Sequence, residues 1–151
     1  MASQHTILVP VINSSASLDA VAVACALARQ KKSKVYAVHV LEVARSLPLH
    51  AELESEARRG EQLLRKAEEA ANHASYQVTG ELLQAREAGQ AIVDEARDRD
   101  ADAIILGIGG AKLPGEFHVG RTSQFVLKHA PCEVWVIRQG TTHNASHSDR
   151  E

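Results

Sequence analysis

The sequence predicts an α/β fold: an open, doubly wound, five-stranded parallel sheet with helices on both faces. Three observations predict it. Short runs rich in Val, Ile and Leu alternate along the chain with stretches of helical period, the pattern of βαβ units. The runs are apolar almost throughout instead of alternating, as strands covered on both faces must be. The length of 151 residues is that of one domain, since single domains most often run to about 100–150 residues.

Thr6-Ile-Leu-Val-Pro-Val-Ile12 is the first strand. Asn13, Ser14 and Ser15 then offer short polar side chains for a helix N-cap, and Leu18, Val21, Ala22, Cys25 and Ala26 follow at helical spacing to make one buried face. Val35-Tyr-Ala-Val-His-Val-Leu41 is the second strand. A loop carrying Pro48 leads into a charged helix near 51–74, with Leu53, Ala57, Gly60, Leu64, Ala67, Ala71 and Ala74 inward. Tyr76 to Leu83 is a third strand, and Gly80 within it suits a place near the sheet edge. Helical period returns over 88–99 with Ala91, Ile92, Glu95 and Ala96. Asp102-Ala-Ile-Ile-Leu-Gly107 is a buried fourth strand, Arg121 to His129 a short helix, and Cys132-Glu-Val-Trp-Val-Ile-Arg138 the fifth strand. Residues 1–138 therefore form the domain. Residues 139–151 have no apolar period and are expected to be a disordered tail.

Composition removes several function classes. Hydrophobic residues at 44% and charged residues at 24% exclude a disordered chain. The 17 Lys+Arg against 19 Asp+Glu give a net charge of -2, so there is no basic field to gather nucleic acid or anionic lipid. Apolar runs never reach the roughly 18–20 residues of a membrane span. Cys25 and Cys132 match no metal or redox spacing. With no export signal at the start of the chain, a cytoplasmic location is expected.

The segment that carries chemistry is Gly107-Ile-Gly-Gly110, nine residues Ala111 to Val119, then Gly120-Arg121-Thr122-Ser123. Gly107 and Gly110 would let backbone approach a ligand, while Gly120 opens a helix whose free N–H groups attract phosphate. Thr122 and Ser123 add hydroxyls. The alternative is a plain strand-to-helix loop. It is not a Walker A loop, because no Gly-Lys-Ser/Thr follows, nor the dinucleotide fingerprint, which lies after the first strand. In a doubly wound sheet the ligand sits beyond the carboxyl ends of the strands, here those after Ile12, Leu41 and Gly107.

The spacing of Gly107, Gly110 and Gly120 resembles that of nucleotide-binding members of the universal stress protein family. The resemblance extends over residues 5–138: Ile7-Leu-Val-Pro-Val11 is similar to the family's first strand, Val38-His-Val40 to its second, and Ala130-Pro-Cys-Glu-Val134 to the approach to its fifth. It implies a Rossmann-like fold of the adenine nucleotide alpha hydrolase-like kind. It also implies an adenine nucleotide, ATP, ADP or AMP, with or without Mg²⁺, held by Pro10, Val11, Ile12, Val40, Leu106, Gly107, Gly110, Gly120, Arg121, Thr122 and Ser123. The base would lie between Val11, Val40 and Leu106. A homodimer through the last strand, Glu133–Arg138, follows from the same resemblance. Two positions depart from the family pattern: Ile12 stands where ATP-holding members place Asp, and Arg121 where they place Ser or Thr. Gly-Arg-Thr is also similar to stress-protein domains associated with transporters, which implies an adaptor or regulatory partner as an alternative.

Catalysis has no residue set. The eight histidines are dispersed, with none in a zinc-helix or nucleophile-elbow setting. His143 and His147 define no site in a tail, and Asn144-Ala-Ser146 is a chance glycosylation sequon without export. His39 is expected to be a hydrogen-bonded strand residue and Glu116 a solvated loop residue. The charges between Glu52 and Glu69 are expected to be a solvated helix face with i,i+4 pairs. The expected function is a regulatory adenine-nucleotide binder with at most slow hydrolysis. A nucleotide-independent dimeric adaptor is the second reading, and an enzyme of the same fold the third.

Overall fold

The computed structural model describes residues 5–109 and 119–140. Gly110, Glu116, His118, the sequon and the paired tail histidines lie outside the described residues. The elements run β1 (Thr6–Pro10), α1 (Ser15–Lys31), β2 (Lys34–Glu42), α2 (Glu54–His73), β3 (Thr79–Ala85), α3 (Ala88–Asp98), β4 (Ala103–Ile108), α4 (Arg121–His129) and β5 (Glu133–Arg138). The sheet has the order β3-β2-β1-β4-β5, and every pairing is parallel. The direction of strand addition reverses between β1 and β4, which opens a crevice over their carboxyl ends.

Alternation along the strands divides the core into two layers. Ile7, Val9, Val35, Ala37 and Ile105 face α1 and α2. Leu8, Val38, Ile104 and Leu106 face α3 and α4, where they meet Ile92, Val93 and Val126. β3 starts at Thr79, three residues later than the sequence suggests, and is an edge strand, as Gly80 implied.

The buried face of α1 differs from the expected one. Ala16, Ser17, Ala20, Val21, Ala24, Cys25 and Ala28 are buried, whereas Ala22 and Ala26 face solvent. Alanine occupies positions 16, 20, 22, 24, 26 and 28, so apolarity is spread almost evenly around the helix and periodicity cannot orient it. Docking on β4 does. Ser14 is the N-cap, its hydroxyl accepting from Ser17 N at 3.3 Å.

In α2 the expected inward residues Gly60, Leu64, Ala67 and Ala71 are buried. The expected i,i+4 ion pairs are absent: no salt bridge joins two α2 side chains among the described residues. Gln139, assigned to the tail, instead donates from Nε2 to Ser15 Oγ and Asp19 Oδ2, each at 2.9 Å.

Candidate functional site

The site is assembled by strands of unequal length. β1 stops at Pro10, paired with Val38, while β2 runs on to Glu42. Val40 and Glu42, two and four residues past Val38, therefore stand on the same side of the sheet as Val38, above the end of β1. Beyond that step Val11 turns away, its N–H still bonded to Val38 O at 2.8 Å. Ile12 N–H then donates to Ser17 Oγ at 3.0 Å. This bond ties the β1–α1 turn to the first turn of α1.

Across the switch point, β4 carries Leu106 and Gly107 to the same level, and α4 begins at Gly120 with no side-chain cap. A cleft of about 350 Å³ lies between these ends. Pro10, Val11, Ile12, Val40, Leu106, Gly107, Gly120, Arg121, Thr122 and Ser123 all line it. Ten of the eleven residues expected at the site thus share one cavity. The eleventh, Gly110, lies outside the described residues.

The walls divide by chemistry. Val11, Val38, Val40, Ile92 and Leu106 give an apolar slot; opposite, the α4 N-terminus, the Thr122 and Ser123 side chains and Arg121 give a polar, electropositive end. Arg121 is exposed and has no ion-pair partner among the described residues. Together these groups form a slot for a flat apolar group beside a seat for an anion.

Gly107 does something other than expected. A Cβ built there would lie 2.0 Å from Ala16 O and 2.4 Å from Ala16 C. Its missing side chain makes room for the first turn of α1, and so for the Ser17–Ile12 bond, while its backbone lines the cleft. Gly109 and Gly120 have open space around them; those glycines leave the cleft clear.

Residues not singled out in the sequence complete the cavity. Ala88 and Ile92 come from α3, and Glu42 is the one acid on the wall among the described residues. Glu42 Oε2 accepts from Ala88 N at 2.8 Å, capping α3, whose own N-cap Glu87 makes no side-chain cap bond. The strand period, Val38-Val40-Glu42, was the signal that could have found it. His39 is a hydrogen-bonded strand residue: its Nδ1 lies 2.7 Å from Val11 O, and because a carbonyl only accepts, Nδ1 is the donor.

No described helix is long and apolar enough to cross a membrane, and no group of three potential metal ligands occurs among the described residues. Burial raises the Cys25 and Cys132 thiols above their ordinary range.

A parallel doubly wound sheet with its cleft at the switch point defines a Rossmann-like α/β protein. The chain belongs to the universal stress protein family, whose family model matches residues 4–138. A universal stress protein of Methanocaldococcus jannaschii is 30% identical over 139 residues, covering 88% of this chain and 81% of that one. Universal stress protein UspA from Lactobacillus plantarum superposes with a TM-score of 0.72 at 27% identity, covering 91% of this chain and 100% of that chain. The Archaeoglobus fulgidus universal stress protein in complex with dAMP has the same fold, with a TM-score of 0.71 at 22% identity over 91% of this chain and 99% of that chain.

Proposed function

We propose that this protein binds an adenine nucleotide in the β1–β4 cleft and that occupancy of the cleft, rather than turnover, is its signal. The observation that carries the reading is the pairing of an apolar slot, Val11, Val40 and Leu106, with an uncapped helix N-terminus bearing Arg121, which has no ion-pair partner among the described residues. The base would lie in the slot and the phosphate against Gly120, Arg121, Thr122 and Ser123. A related fold that holds dAMP supports it. The main-chain N–H of Ile12 is already satisfied by Ser17, so an apolar side chain at that position leaves no orphan donor. Its cost to binding is one missing ligand contact, about 0.5–1.5 kcal/mol.

Slow chemistry follows from the same walls. Glu42, the one acid on the cleft wall among the described residues, accepts from Ala88 N–H, and transfer of a phosphoryl group needs an oriented water and charge neutralisation together. We place the protein in the cytoplasm as a homodimer joined through β5, where Trp135 and Val136 are 42% and 40% exposed. An accompanying Mg²⁺ and a transporter or regulatory partner belong to the same reading.

Isothermal calorimetry with AMP, ADP and ATP tests it. Saturable heat with at least one of the three is expected, and absence of heat or thermal shift at millimolar nucleotide refutes it. The second reading, a nucleotide-independent adaptor, is favoured by one observation: Ile12 is 59% exposed at the cleft mouth, an apolar contact surface where a polar ligand contact would serve a nucleotide. A protein that is inert to all three nucleotides yet still dimeric would fit that reading.

A further inference from the structure

A second cleft, of about 390 Å³, lies between the end of β2 and α2 and adjoins the first, with Val40 and Glu42 bordering both. All its lining residues belong to the described part of the chain. Its volume falls in the range of ligand sites, about 300–1,000 Å³. From α2 it takes Arg59, Gln62, Leu63 and Lys66, from β2 it takes His39, and from the β1–α1 turn it takes Asn13.

The hydrogen-bonding capacity here is mostly unspent. Neither Arg59 nor Lys66 has an ion-pair partner among the described residues, although Arg45, Arg97 and Arg99 are all paired. Two acids share the wall, each accepting one bond, Glu42 from Ala88 N–H and Glu56 from the Ser55 hydroxyl, and their charge favours an anion held at the Arg59 and Lys66 side of the cleft. Half-buried His39 spends Nδ1 on Val11 O, leaving Nε2 without a partner among the described residues. Its ring is seated against Gly60, where a built Cβ would come 2.8 Å from Cδ2. The imidazole is therefore held in one orientation, tucked against helix α2.

Arg59 and Lys66 are seven residues apart on α2, about 10 Å along the helix axis, with Leu63 between them and buried Leu41 on the β2 wall. A cation at either end of an apolar stretch can hold the anionic group of a ligand whose apolar body lies along Leu63 and Leu41. We infer that this cleft is a second ligand site, taking a small molecule that joins a phosphate or a carboxylate to an apolar body.

The test is amide NMR of the full chain, titrated in separate arms with phenyl phosphate and with benzoate. The expected result is saturable shifts at Asn13, at 39–42 and at 59–66, with Gly120 to Ser123 unmoved. Tighter binding of one probe identifies the anion. The doubly substituted R59Q/K66Q protein, changed only at exposed positions, should keep its melting temperature and lose affinity by about tenfold or more, because both cations that can hold the anion are removed. No saturable shift with either probe, shifts centred on Gly120 to Ser123 instead, or unchanged affinity in R59Q/K66Q would overturn the inference.

Discussion

Gly107→Ala is the sharpest single perturbation available in this fold. The added methyl would stand 2.0 Å from Ala16 O, 2.4 Å from Ala16 C and 2.9 Å from Ser17 N, where carbon atoms ordinarily approach to about 3.5–4.0 Å. All three obstacles are main-chain atoms, so no rotamer relieves the clash and the first turn of α1 must move by more than an ångström. Ala16 and Ser17 are buried, and the Ser17 hydroxyl holds Ile12 N–H. Overpacking costs about 1–3 kcal/mol and the disturbed hydrogen bond about 1 kcal/mol more, for a total of about 2–4 kcal/mol. At about 2–4 °C per kcal/mol for a chain of this size, the melting temperature should fall by about 5–15 °C. Gly120→Ala is the matched control: nothing lies within 4 Å and φ is -63°, so it meets no clash, and the weaker N-cap preference of alanine offset by the stiffer unfolded chain leaves a change within about 1 kcal/mol. Both are read by calorimetric or fluorescence melting. A fall of less than about 2 °C for Gly107→Ala, or equal losses for the two variants, would refute the assignment of Gly107 to helix packing.

Arg121→Ala should weaken ATP about tenfold and adenosine hardly at all, since the lost guanidinium meets only the anion; equal losses by calorimetry would make Arg121 structural. Val136→Lys with Trp135→Asp should shift light scattering from dimer to monomer without changing the melt of the monomer unit, because both side chains are exposed on the edge strand. The Cys25 thiol, raised by burial with Arg29 opposing, gives a sign-definite pH effect. Its folded state holds the proton more tightly than the unfolded state, so its contribution is full below the ordinary thiol value and declines as pH rises through the raised one. Urea midpoints should fall at alkaline pH, less steeply in Cys25→Ala, and iodoacetamide should label Cys132 before Cys25 in the native protein. Equal labelling rates would contradict the burial of Cys25.

Much of this architecture is legible in the chain. Ile7-Leu-Val and Ile104-Ile-Leu are apolar without alternation because both faces of a central parallel strand are covered, and that constraint acts within a few residues. The α4 boundaries follow from Gly120 and the residues after it for the same local reason. Gly107 was equally visible, but its purpose was not: its neighbour is Ala16, ninety-one positions away, brought there only when α1 docks on β4. The same holds for Glu42 beneath Ala88 and for Gln139 on Ser15 and Asp19. The alanine-rich α1 carried no periodic signal strong enough to say which side would be buried, and the charges of α2 gave no sign that Arg59 and Lys66 would border a cleft. Local patterns therefore determined which elements form and where the glycine-rich segment after β4 begins. The sheet order, which puts β1 between β2 and β4, decided which side chains meet, because contacts between residues distant along the chain exist only after the crossovers have brought their strands together.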